Sequence, residues 1–165
     1  MAKSEKIITQ EQALSRMASV CAKKECCPLD IRRKLQRMSF SDEAIQQIIQ
    51  KLKKENYLNE ERYTRLFISD KLRFNKWGKA KIVAALRQKN IPAEIIEQAF
   101  SEFPDEALSE SLQSQLEKKW KTIKGNSEYE KSGKLIRFAL SRGFSMNEIL
   151  RCMRKMDLTD IPDES

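Results

Sequence analysis

Apolar residues recur along this chain at the three-and-four spacing of helices, and the stripes they make fall into nine groups. From residue 10 to 25, Ala13, Leu14, Met17, Ala18 and Cys21 share one face of a helix that Pro28 closes. Ile31, Leu35 and Met38 form the next stripe, with Arg32, Arg33, Lys34 and Arg37 on the other side. Ile45, Ile48, Ile49 and Leu52 line a third helix, with Asp42 and Glu43 in its first turn and Lys51, Lys53 and Lys54 in its last. That charge order suits the helix dipole. A second set opens at Leu58-Asn59, where Asn59 is the cap and Leu58 staples onto Tyr63. Its inward residues are Tyr63, Leu66, Phe67, Leu72 and Phe74. Ile82, Ala85 and Leu86 follow a turn at Gly78, and Ile95, Ile96, Ala99 and Phe100 lie between Pro92 and about Phe103. A third set opens at Pro104-Asp105 and places Leu108, Leu112, Leu116 and Trp120 on one long helix, broken at Gly125-Asn126-Ser127. Leu135, Ile136, Ala139 and Leu140 and then Ile149, Leu150 and Met153 complete it.

The sets are copies of one another. Ser39-Phe40-Ser41 with Ile45, Asn90-Ile91-Pro92 with Ile96, and Gly143-Phe144-Ser145 with Ile149 share one order, their apolar members 51 and 53 residues apart. Each reads as a left-handed helix stop followed by a stapled restart, and Ser145 with Glu148 adds a capping box. A repeat of this length predicts stacked helical modules, an array that offers a surface and not an enzyme's cleft. The expected division is 9–57, 58–103 and 104–156, with an acidic tail over 157–165.

Composition agrees with an all-α fold: four Gly, four Pro and 34% charged residues, mostly helix formers. Thirty-two Lys and Arg against 24 Asp and Glu give a net charge of +8, which suits polyanions or acidic protein faces. The charge is unevenly placed. Residues 70–89 hold seven basic residues and one acidic, whereas 90–117 hold seven acidic residues and no Lys or Arg. Such a dipolar middle can orient a partner, and both runs are equally readable as solvated helix faces. No apolar run reaches the roughly 20 residues of a membrane span, and the first six residues lack a signal-peptide core. A cytoplasmic protein without a membrane role is expected, with reduced thiols at Cys21, Cys26, Cys27 and Cys152.

Catalysis is not expected. There is no histidine for a base or a triad, no glycine-rich phosphate loop and no Cys-x-x-Cys pair for zinc, so neither cofactor, metal nor small-molecule substrate is anticipated. Cys21 and Cys152 sit at core spacings, while the vicinal Cys26-Cys27 has no evident role. The candidate contact surface is the run from Lys71 to Lys81, in which cations alternate with aromatics. Phe74 reads as packing at a helix junction, and Trp77 beside Gly78 as a half-exposed anchor. The contact residues are Lys71, Arg73, Lys76, Trp77, Lys79, Lys81, Arg87 and Lys89, with Arg32, Arg33 and Arg37 as a second patch.

The order of residues in Tyr57-Leu58-Asn59-Glu60-Glu61-Arg62-Tyr63, Lys71-Leu72-Arg73-Phe74, Trp77-Gly78-Lys79-Ala80-Lys81-Ile82 and Leu86 to Ile91 closely resembles the central module of the RecX family. Ala13-Leu14, Leu29, Arg32, Leu35 and the helix from Ile45 to Leu52 extend the resemblance to the first module, and the internal repeat carries it into the third. It implies tandem three-helix modules in an elongated, curved array. It also implies a non-enzymatic regulator that binds RecA and its DNA filament, inhibits strand exchange and ATP hydrolysis in recombination and the SOS response, and has some affinity for single- and double-stranded DNA. Asn59 replaces a usual acidic residue, and Ser39 and Asn90 replace glycines common at the helix stops; all three are compatible with the fold. The residues also allow a direct DNA binder of helix-turn-helix type, or an adaptor for another protein.

Overall fold

A computed structural model of the chain describes residues 7–162, and among these it shows nine α-helices, one π-helical turn and no strand. Residues 1–6, expected to lack a signal-peptide core, and 163–165 of the acidic tail lie outside the described residues. The first three helices are α1 (Gln10–Lys23), α2 (Pro28–Arg37) and α3 (Asp42–Lys54). Then come α4 (Glu60–Asp70), continued by the π turn Lys71–Asn75, with α5 (Lys79–Gln88) and α6 (Ala93–Ser101). The last three are α7 (Asp105–Trp120), α8 (Glu128–Ser141) and α9 (Met146–Lys155).

The helix stops are built as the repeat predicts. Ser39 at φ 64°, Asn90 at φ 58° and Gly143 at φ 94° are left-handed. In each case the next amide reaches back a full turn: Phe40 N to Leu35 O at 3.3 Å, Ile91 N to Leu86 O at 3.2 Å, Phe144 N to Ala139 O at 3.3 Å. Two further stops of this kind stand at Asn56 and Asp157, where Tyr57 N donates to Leu52 O and Leu158 N to Met153 O. Side chains cap the starts of α3, α4 and α9, whereas Pro92, at the start of α6, offers no side-chain cap. Ser41 accepts from Ala44 N, Asn59 from Arg62 N, and Ser145 from Glu148 N while Glu148 accepts from Ser145 N. Each such cap contributes about 1 kcal/mol.

Three buried clusters match the three sets of helices. The first contains Met17, Leu35, Ile45 and Leu52, the second Ile82, Leu86, Ile96 and Phe100, and the third Leu112, Leu116, Leu135 and Ile149. They trade residues at their edges. Leu58 belongs to the first cluster and its expected staple partner Tyr63 to the second, whereas Cys27 and Leu29, at the start of α2, serve the second. Cys26 packs in the first, so the vicinal thiols point into two different cores. Burial pushes all four thiols up, Cys21 to about 12, which leaves them protonated and inert. Leu158 and Ile161, in the segment read as an acidic tail, pack on the third core.

Four apolar side chains assigned to inward stripes lie outside. Met38 is exposed at the cap of α2. Leu66 is 45% exposed because Tyr63, Thr64, Phe67 and Ile68 already fill the inner face of α4, with the buried Thr64 hydroxyl donating to Glu60 O at 2.7 Å. Leu140 is 46% exposed beside an inner face taken by Ile136 and Ala139. Phe74 is 73% exposed. The wider winding of the π turn that contains it rotates Phe74 away from the stripe shared with Phe67.

Candidate interaction surface

The run from Lys71 to Lys81 occupies the π turn, the connection after it and the first turn of α5. Lys76 ends the π turn in a left-handed conformation, φ 58°, and Trp77 N closes it on Lys71 O at 3.1 Å. Gly78 then caps α5, whose first amides need acceptors. They find them on the third module: Gly78 N donates to Arg142 O at 2.6 Å and Ala80 N to Gly143 O at 3.1 Å. The carbonyl end of α8 thus meets the amide end of α5, a favourable alignment of dipoles. Only glycines allow this approach. A Cβ on Gly78 would lie 2.5 Å from Gly143 O, and one on Gly143 2.3 Å from Lys81 Cβ. Lys81 Nζ adds a bond to Ser141 O at 3.2 Å, and Arg142 Nη1 one to Asn75 O at 2.9 Å.

This junction fixes the cations around Trp77. The ammonium groups of Lys71 and Lys81 each lie 4.7 Å from its ring centroid, and Lys71 also stands 5.3 Å from Phe67. Trp77 is half-buried and packs on the second core. Arg73 lies over Phe74, and Lys79 over Phe100 at 5.1 Å. Arg73, Lys76 and Lys79 are exposed and have no ion pair among the described residues.

The other candidates are dispersed. Lys89 is held by Asp30, Nζ to Oδ1 at 2.7 Å, which ties the second module to the first. Burial opposes ionisation of Asp30, but the hydrogen bonds from Lys89 and Cys27 and the Lys89 charge outweigh it and hold the carboxyl below its ordinary value. Arg62 completes that joint by binding Glu25, Asn56 O and Tyr57 O. Arg87 is exposed in the last turn of α5. Arg33 and Arg37 are exposed and Arg32 half-buried on α2, in a different module from Lys71–Lys81. The structure also brings three cations that sequence reasoning left out, Lys118, Lys119 and Arg142, to the cleft that Arg73 and Lys76 line. Lys118-Lys119 directly follows the acidic run, but no local pattern joins them to residue 73.

Comparison with known proteins places the chain. Residues 59–99 match the family model for the second three-helix domain of RecX, and 105–153 match that for the third. A regulatory protein RecX of Clostridium beijerinckii is 32% identical over 81% of this chain and 63% of its own length. One of Prosthecochloris aestuarii is 31% identical over 88% of this chain and 93% of its own. One of Clostridium perfringens is 33% identical over 74% of this chain and 59% of its own, so the chain spans less than two thirds of both clostridial relatives. The crystal structure of RecX from Lactobacillus salivarius superposes with a TM-score of 0.81 at 21% identity, over 91% of this chain and 97% of the other. A second crystal structure of regulatory protein RecX gives 0.81 at 22% identity, over 88% of this chain and 73% of the other. The helix stops, the three cores and these likenesses agree, and the chain belongs to the RecX family of regulatory proteins.

Proposed function

We propose that this protein binds RecA and its nucleoprotein filament and inhibits ATP hydrolysis and strand exchange, acting in DNA repair and the SOS response. The observation that carries this reading is membership of the RecX family together with a basic edge at Arg73, Lys76 and Lys79, exposed and without an ion pair among the described residues, on the module that matches the family's second three-helix domain. A filament presents the same site many times, so several modest contacts along three modules add through avidity. Binding without chemistry suffices for such a role, and no group of three or more Cys, Asp or Glu side chains among the described residues is placed to hold a metal ion. Nor is any described helix long and apolar enough to cross a membrane.

Direct DNA binding is the less favoured reading because the Trp77 ring, the obvious stacking platform, is already occupied by two ammonium groups. The deciding experiment is the ATPase rate of the cognate RecA on single-stranded DNA, titrated with this protein. Inhibition is expected, and Arg73→Glu, Lys76→Glu and Lys79→Glu combined should relieve it with unchanged helicity. An unchanged ATPase at saturating protein would overturn the reading, and retention on bare DNA equal to that on RecA-coated DNA would favour the direct binder.

A further inference from the structure

The cleft between the second and third modules encloses about 710 Å³, inside the range of roughly 300–1,000 Å³ usual for small-ligand sites. One wall is the end of α4 with the π turn, and the other is a face of α7 with the end of α8. The sequence of α7 sets its chemistry. Ser111, Ser114, Gln115, Lys118 and Thr122 recur at helical spacing and turn to the cleft, while Leu112 and Leu116 turn to the core. Glu106, Glu110 and Glu117 are exposed on the remaining side. The acidic run is thereby kept out, and among the described residues no Asp or Glu lines the cleft.

Five cations line it: Arg73, Lys76, Lys118, Lys119 and Arg142. None is ion-paired among the described residues. Two are held in place by Phe138, with Lys119 Nζ and Arg142 Cζ each 5.1 Å from its centroid. Like charges gathered on one concave surface repel one another and focus a positive field, and an anion removes both effects at once.

We propose that this cleft binds a nucleoside polyphosphate. Charge density selects it over a strand of nucleic acid, which carries one charge per nucleotide and would bring few into a space of this size. A nucleoside triphosphate gathers its charge on one short chain, against Lys118, Lys119 and Arg142 on one wall and Arg73 and Lys76 on the other. Leu72 and Phe103 offer apolar surface to the base, and the hydroxyls and Gln115 offer polar contacts. Because the walls come from different modules, the ligand clamps the second module to the third.

The test is calorimetric titration of the whole chain with ATP at low salt in EDTA, alongside melting curves. One-site binding and a raised melting temperature are expected, with tripolyphosphate alone and adenosine alone both weaker than ATP. Lys118→Gln with Lys119→Gln should weaken binding by roughly tenfold or more, as the loss of charge-assisted contacts does. Arg73→Gln, on the opposite wall, should weaken it independently, whereas Lys54→Gln should bind as the parent does. Melting curves of the unliganded variants establish that they fold. Absence of binding at millimolar ATP, binding unaffected in both cleft variants, tripolyphosphate equal to ATP, or displacement of ATP by a tighter-binding short oligothymidylate would each overturn the proposal. No recombinase is present, so failure here leaves the RecA reading standing.

Discussion

Among the described residues, five other than glycine hold a left-handed conformation: Ser39, Asn56, Lys76, Asn90 and Asp157. Asn and Asp tolerate it through their short polar side chains, but Ser39 and Lys76 bear the full clash of Cβ with the backbone, about 1–2 kcal/mol each. Ser39→Gly should therefore raise stability by about 1 kcal/mol in urea unfolding. The same kind of stop at Gly143 responds in the opposite sense. Gly143→Ala brings a Cβ onto Lys81, and overpacking of this sort costs roughly 1–3 kcal/mol. Three of these stops were legible in the sequence because an apolar residue and a cap follow each of them. Lys76 was not, since nothing in Asn75-Lys76-Trp77 advertises a positive φ.

At the level of elements, apolar periodicity located the nine helices of the described residues and most of their inward positions; it failed where the winding itself changes. Phe74 would face inward if α4 continued at regular pitch, and the π turn carries it out to solvent. Phe74→Ala should accordingly shift stability by less than about 0.5 kcal/mol, while Leu86→Ala, at a site with no exposure, should cost about 2–5 kcal/mol. Paired urea curves would check this, and a large loss from Phe74→Ala would mean that the π turn is misplaced. Of the proposed contact surface, the Lys71–Lys81 stretch was legible because it is continuous in sequence. Its completion by Lys118, Lys119 and Arg142 depends on how α7 and α8 dock, which no local pattern encodes.

Across the whole molecule the modules are joined by two unlike devices. The first joint adds to the apolar contacts of Cys27 and Leu29 the ion pairs Asp30–Lys89 and Glu25–Arg62, and its Asp30 pair responds to pH. With its folded value depressed, Asp30 stabilises fully above its unfolded value of about 3.9 and loses that contribution as pH falls through the lower folded one. Asp30→Asn should cost about 1 kcal/mol near neutrality, allowing for solvent screening of a partly exposed pair, and nothing once the pH is well below 3.9. Thermal melts from neutral to acid pH would measure that convergence, and a constant difference would contradict it. The second joint is chiefly backbone against backbone at Gly78 and Gly143, with Lys81 and Arg142 adding bonds to main-chain carbonyls. It bears on the order of events on the ribosome. α5 emerges long before α8 has been synthesised, and until then the amides of Gly78 and Ala80 have only water as acceptor. The middle module therefore reaches its finished form only when the last one arrives, and the two mature as a pair.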